Sequence, residues 1–351
     1  MLKRLSFRAA KQCLFFMDVI DTMYQFRSGA FKALIAARNK RGILVTLVLS
    51  LLFVGACNSV VTSQAKSSTL VATIYPLQYF ASQVGSGRVE VTGLVPTGVE
   101  PHEWEPSSKD ITAIKRAKVF VYNGAGLEPW VDRVLEEFGD SSGPVAVDSS
   151  DGVKLLQAVH DEDEDEKSHK EKEIGFDPHV WLDPLRAQQQ VKNIADALAR
   201  ADADNQNIYS ENGNALNGRL QELHQAYSSG LRSCQRRDII ISHNAFGYMA
   251  ERYDLDVIPI TGVSPEAEPS PARMAQLVDI AKERKATHVF FETLVSPALA
   301  DTIAKEVGAK TLVLNPLEGL TREEQSKGEN YFSIMESNLR NLRLALGCTS
   351  G

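Results

Sequence analysis

The sequence predicts an α/β protein of two lobes, each built on a parallel sheet, and three observations lead there. Short apolar runs alternate with amphipathic segments from residue 70 to residue 147. The same alternation returns from residue 238 to residue 314. Between the two blocks, residues 184–230 keep helical spacing with no strand among them. Strand, helix, strand in succession is the βαβ pattern, which builds parallel sheets.

Residues 70–74 (LVATI) read as a short apolar strand, 77–84 as an amphipathic helix and 89–94 as a second strand. After a loop holding His102, Ser108 is the expected cap of a helix over 109–116, because its hydroxyl can accept an N–H that the first turn leaves unpaired. Residues 118–122 form a third strand, 127–138 a helix and 145–147 a short strand. An acidic run then reads as a loop, and His179 follows it. Val191, Ile194 and Leu198, then Leu216, Leu220, Leu223 and Tyr227, repeat at helical intervals and give a long helical connection. In the second block the strands are 238–242, 257–260, 288–291 and 311–314, with helices from Ala245, over 271–284, over 297–307 and at the end. The boundaries that follow are a leader 1–57, a linker 58–69, a first lobe 70–183, the connection 184–230 and a second lobe 231–351.

The leader carries its own signal. GILVTLVLSLLFVGA, residues 42–56, is an unbroken apolar run preceded by Lys32, Arg38, Lys40 and Arg41. It is short for a membrane span and of the right length for a signal-peptide core. It ends in Val-Gly-Ala-Cys, which resembles a bacterial lipobox, so Cys57 is the expected lipidation site and first mature residue. Gly55 is less usual there, and a plain signal peptide or uncleaved anchor is the alternative; export follows either way. The stretch before Lys32 is long for such a leader, which makes Met17 and Met23 alternative starts that would remove Cys13. With Cys57 acylated, Cys234 and Cys348 remain as an even pair in a compartment where disulfides persist. A bridge between them would tie the C-terminus to its lobe; two free thiols are the alternative.

A net charge of -7 argues against nucleic-acid binding. The acidic excess is local: HDEDEDEKSHKEKE, residues 160–173, holds eight carboxylates against three lysines. Such a run is by default a solvated loop. Its other reading, capture of cations, rests on that charge and on His160 and His169.

Three histidines stand where apolar runs break off: His102 in GLVPTGVEPHEWEP, His179 in GFDPHVWLDP and His243 in RRDIIISHNAFGY. The ends of parallel strands are where α/β sheets form ligand sites. Three neutral imidazoles suit a borderline-soft cation such as Zn²⁺, whereas Mg²⁺, Ca²⁺ and largely Mn²⁺ favour oxygen. His224 on the helical connection and His288 at a strand start read as ordinary structural histidines. Trp104 and Trp181, each two residues beyond a candidate ligand, read as packing residues, with walls of a cleft as the alternative.

The segments ATIYPLQYFA, GVEPHEWEPSSKD, NGAGLEPWVD, DPHVWLDP, SHNAFGYMAERYDL, SPEAEPSP and FFETLVSPALADTIAKEVGA, in this order, resemble the cluster A-I solute-binding proteins that feed zinc and manganese ABC importers. The resemblance covers residues 70–346. It implies two α/β lobes hinged on a long rigid helix, with the metal in the interlobe cleft, His102 and His179 from the first lobe and His243 from the second. It further implies a zinc branch, because a histidine rather than a glutamate stands at the third ligand position, and an acidic loop in the first lobe accords with that branch. It implies an ABC permease and its ATPase subunit as partners, Zn²⁺ as the transported ligand, and a monomer on the outer face of the membrane or in the periplasm.

Many members supply a fourth ligand as Asp in a Leu-Asp-Pro-Leu context, where TLVLNPLEGL has Asn315. A neutral amide is a poor Zn²⁺ ligand. The fourth position is therefore left to water, or to Glu292, Glu103 or Glu268. Three nitrogens plus water is also a catalytic pattern, so a secreted zinc hydrolase stands as an alternative, beside a manganese or broad divalent-metal binder and an adhesin. HEWEP is not the H-E-x-x-H helix, since Pro106 occupies the second histidine's place, and no C-x-x-C pair is present. The expectation is a binding protein and no enzyme.

Overall fold

In the computed structural model, residues 68–139, 143–158, 175–265 and 268–349 are described. The leader with Cys57 and Cys13, most of the linker, and the acidic loop with His160 and His169 lie outside the described residues. Among the described residues no helix is long and apolar enough to cross a membrane.

The first lobe opens with β1 (Ser68–Ala72), α1 (Tyr75–Gly85) and β2 (Val89–Gly93). Pro76 sits in the first turn of α1, where its missing N–H costs no hydrogen bond, and Leu77, Phe80, Ala81 and Val84 form one buried stripe. Helix α2 (Ser108–Arg116) is capped one residue earlier than the sequence suggests. The Ser107 hydroxyl accepts the Asp110 N–H, and the Asp110 carboxylate accepts the Ser107 N–H in return. After β3 (Val119–Tyr122), helix α3 (Val131–Phe138) starts later than the expected residue 127. The chain first winds through positive φ at Gly124, Ala125 and Gly126, and the Glu128 carboxylate accepts the N–H groups of Asn123 and Gly124. With β4 (Val145–Asp148) the sheet has the order β2-β1-β3-β4, parallel throughout.

The connection is two helices rather than one, α4 (Pro184–Ala201) and α5 (Gln206–Gly230), parted by a 3-10 turn over Ala203–Asn205. Asp202 makes the break. Its carboxylate accepts from Tyr209, Asn205 and Ser68, side-chain bonds that compete with helical continuation. The two helices run antiparallel: Gln188 bonds the carbonyl of Asn217, while Ala195 faces Gly213. Helix α5 reaches both lobes, through Asn212 to the Val84 carbonyl and Tyr227 to the Met335 carbonyl.

The second lobe contains β5 (Asp238–His243), α6 (Gly247–Tyr253), β6 (Asp256–Thr261), α7 (Pro271–Glu283), β7 (His288–Phe291), α8 (Ala298–Val307) and β8 (Lys310–Val313). Its strands pair in parallel as β5 with β6 and β7 with β8, with β5 running beside β7. The closing segment is two helices, α9 (Arg322–Lys327) and α10 (Tyr331–Ala345), separated at Gly328 with φ 74°. Cys234 and Cys348 are joined by a disulfide.

Alternation along the strands sorts the core. Val71 and Phe120 face an outer cluster with Ile114 and Trp130, while Leu70, Ala72, Val119 and Val121 face inward. In the second lobe Ile240 packs outward with Leu277 and Ile303, and Ile239 and Ile241 pack inward. The inward cluster is continuous from Phe80 through Trp181 and Tyr227 to Tyr331 and Met335, so the lobes share one apolar core.

Candidate metal centre

Four segments bring side chains to one point. His102 lies in the loop after β2, where Gly98 donates its N–H to the Leu320 carbonyl and the Glu100 carboxylate accepts the His102 N–H at 3.0 Å. His243 is the last residue of β5. His179 departs from the expectation of a strand end: among the described residues a single bridge, Gln157 to Phe176, directly precedes it, and a 3-10 turn over Val180–Leu182 follows. The fourth residue is Glu318, in the turn after β8. There the Asn315 side-chain oxygen accepts the Leu317 N–H at 2.7 Å, and Leu317 adopts φ 60°, which turns the next residue inward.

The His179 Nε2 is 3.2 Å from Nε2 of His102 and 3.2 Å from Nε2 of His243. Glu318 Oε1 lies 3.2, 3.1 and 3.2 Å from the Nε2 atoms of His102, His179 and His243. All four atoms fall within 4.8 Å of one another. A tetrahedron with bonds of about 2.0–2.1 Å to its centre has edges of about 3.3 Å, the spacing seen here. The His102 side chain is 10% exposed, Glu318 1%, and the other two fully buried.

The outer ring nitrogens settle which nitrogen faces inward. His179 Nδ1–H donates to Asp177 Oδ1 at 2.8 Å, and His243 Nδ1–H donates to Glu292 at 2.8 Å. With Nδ1 carrying the proton, Nε2 presents its lone pair to the centre. Trp181 does more than pack: its ring meets His179 edge-on at 5.4 Å, and its N–H donates to the Pro316 carbonyl, two residues before Glu318. Trp104 packs against Trp130 in the outer cluster.

Electrostatics of the metal-free site follow from this crowding. Burial alone would raise the Glu318 carboxyl, but the charge of His243 and hydrogen bonds from three imidazoles hold it well below the usual carboxylate range. Burial also opposes protonation of His243, yet Glu292 and Glu318 push it well above an ordinary histidine. His179 is raised as well, since Asp177 and Glu318 outweigh its burial. His102, whose burial dominates, is lowered.

Asn315 does not join the cluster. Its amide donates to Thr293 and Glu324 and its oxygen is taken by Leu317, so it shapes the turn that delivers Glu318. Glu292 touches His243 rather than the centre, Glu103 is exposed, and Glu268 lines a separate cavity with Ser242 and Thr261. His224 bonds Tyr253, and His288 lies beside Thr287. Glu318 is absent from the residues singled out by sequence. Its signal was the carboxylate three residues past Asn315 in NPLEG, at the end of the last strand.

Fold and cluster together define an α/β protein of the metal-binding, solute-capturing kind, with a buried imidazole and carboxylate cage between its two lobes. The chain belongs to the ZnuA family, zinc-uptake complex component A, periplasmic, whose family model matches residues 70–345. It is 39% identical over 314 residues to the high-affinity zinc uptake system protein ZnuA of Bacillus subtilis (strain 168), covering 86% of this chain and 97% of that one. It is 39% identical to the zinc-binding lipoprotein AdcA of Streptococcus pneumoniae (strain ATCC BAA-255 / R6), over 87% of this chain but 60% of that longer protein. The Zn(II)-bound ZnuA-like domain of Streptococcus pneumoniae AdcA superimposes with a TM-score of 0.68 at 38% identity, covering 80% of this chain and 99% of the domain. The laminin-binding protein Lmb of Streptococcus agalactiae, a bifunctional protein with adhesin and metal transporting activity, matches with a TM-score of 0.69 at 28% identity, over 80% of this chain and 99% of that one.

Proposed function

We propose that this protein captures one Zn²⁺ through Nε2 of His102, His179 and His243 and Oε1 of Glu318, and delivers it to an ABC permease driven by its ATPase subunit. The carrying observation is that four ligand atoms converge within 4.8 Å, and that His179 and His243 spend their Nδ1 protons on carboxylates and so turn Nε2 lone pairs to the centre. Such a constellation needs a cation or protons at its centre. Three nitrogens and one oxygen at tetrahedral spacing favour Zn²⁺ over Mn²⁺, which prefers more oxygens and a higher coordination number. Membership of a zinc-uptake family agrees, and so do the names of the relatives.

With Glu318 in the fourth place, the open position that a zinc hydrolase keeps for water is filled. The protein binds and hands on its ion without chemistry on a substrate. Its place is extracytoplasmic; attachment through a lipid on Cys57 and a monomeric state complete the proposal. Competition of Zn²⁺ against Mn²⁺ on the purified mature chain tests it. One Zn²⁺ per chain retained in excess Mn²⁺ is expected, and preferential retention of Mn²⁺ would overturn the metal assignment. The likeness to Lmb keeps an adhesin role as a second reading, checked by adding immobilised laminin to the same protein.

A further inference from the structure

We infer that α6, the helix just after His243, holds the His179 segment in place from the opposite lobe, so that Tyr248 and Arg252 are positioning residues of the zinc site. The inference rests on the zinc reading above. Residues 177–183 carry His179 between two anchors, and α6 is fastened to both. At the first, the buried Tyr248 hydroxyl donates to the Asp177 carbonyl at 2.6 Å and accepts the Leu156 N–H at 3.2 Å. At the second, the fully buried Asp183 carboxylate accepts from Arg252 Nη2 at 2.7 Å and from Arg252 Nε at 3.0 Å. Arg186 closes the arrangement. It donates to Asp183 at 2.8 Å, pairs with Glu251 of α6, and lies 4.8 Å over the Tyr248 ring.

Asp177 transmits the hold. Its carboxylate accepts both the ring N–H and the main-chain N–H of His179, so a shift of Asp177 moves the imidazole with it. The fit against α6 is close, since a Cβ on Gly247 would stand 2.6 Å from Asp177 Oδ2. One helix thus follows one clustered residue, His243, in the chain and holds a second, His179, through Asp177. Bonds that only joined the lobes would have no reason to bracket one ligand. Loosening them leaves all four ligands present and lets one wander, which raises the rate of metal release more than it slows capture.

The test uses the full mature chain with Zn²⁺ and Co²⁺ as probes, comparing wild type, Tyr248→Phe, Arg252→Lys and His179→Ala. Each of the two positioning variants is expected to bind one Zn²⁺ with release to a chelator about tenfold faster, at the lower end of what outer-shell changes cause. The visible Co²⁺ spectrum is expected to shift, a signature that altered stability alone would not produce. Combining Tyr248→Phe with Asp177→Asn is expected to cost less than the sum of the two. Arg252→Lys keeps the charge and loses the fork, so it carries the test independently should Tyr248→Phe misfold. Wild-type release rates and Co²⁺ spectra in both variants, with His179→Ala still losing zinc, would overturn the inference alone. A His179→Ala protein that holds Zn²⁺ as tightly as wild type would overturn the zinc reading and this inference with it.

Discussion

His243 shows how one side chain is made ready for a cation. Glu292 takes the proton on Nδ1 and Glu318 faces Nε2, and between them they draw a second proton onto the ring when no metal is bound. Changing His243 to Ala removes a ligand outright, so calorimetry should show Zn²⁺ affinity falling by more than the ~10–100-fold typical of outer-shell changes, with the circular dichroism unchanged. Acid should weaken binding for the same reason. The folded-state values of His243 and His179 are raised, so their protons are bound on the acid side of those values and stabilise the metal-free form there. Zinc must displace them, and its affinity should begin to fall above the ordinary histidine value of about 6.5. His102 is lowered and joins last, so the slope of log affinity should pass about two per pH unit before approaching three. A slope at or below one, measured with a non-chelating buffer, would exclude a three-imidazole site. Asn315→Asp is expected to bring no gain in affinity. It sets a carboxylate against Glu324, which now accepts the Asn315 amide, and should cost about 1–3 kcal/mol of stability in chemical denaturation.

Secondary-structure elements were legible where hydrophobic period decides them, and blurred where side chains compete with the backbone. Strands β1 to β3 and β5 to β8 stand within about two residues of their expected places, because buried alternation and apolar runs mark them directly. The helical stripes around Val191 and Leu220 were equally plain, but Asp202 parts them by bonding Tyr209 and Asn205, which no periodicity records. Helix α3 begins late because Glu128 satisfies the backbone of a left-handed turn. Glu318 escaped for a related reason: its direction depends on an Asx bond and on Leu317 at positive φ, conformational choices invisible to residue spacing. The capping box of α2 offers a control at this scale. Ser107→Ala should lower stability by about 1 kcal/mol in urea and leave Zn²⁺ affinity as it was, since the helix follows the His102 loop without touching the cluster. Loss of zinc affinity in that variant would mean that α2 helps set His102.

Across the whole molecule, a shared core and α5 connect the two lobes, and the four clustered side chains come from both of them, so an ion held there would join the lobes at a single point. The two-lobed α/β architecture and three of the four clustered residues could be read from sequence because they stand in long ordered motifs; the division of the connection and the fourth carboxylate could not. A ligand that binds only the folded form stabilises it, and a thousandfold excess of Zn²⁺ over its dissociation constant should add about 4 kcal/mol, seen as a rise in melting temperature lost on chelation. The acidic run of residues 160–173, outside the described residues, carries most of the net charge and should act on rate. Its deletion is expected to slow Zn²⁺ association, more so at low salt, with little change in the dissociation constant. The central claim is the cage itself. X-ray absorption at the zinc edge, on mature protein loaded with one equivalent, should report four ligands at about 2.0 Å, three of them imidazoles by their multiple scattering. A shell with fewer than three imidazoles, or with five or six oxygens, would contradict it.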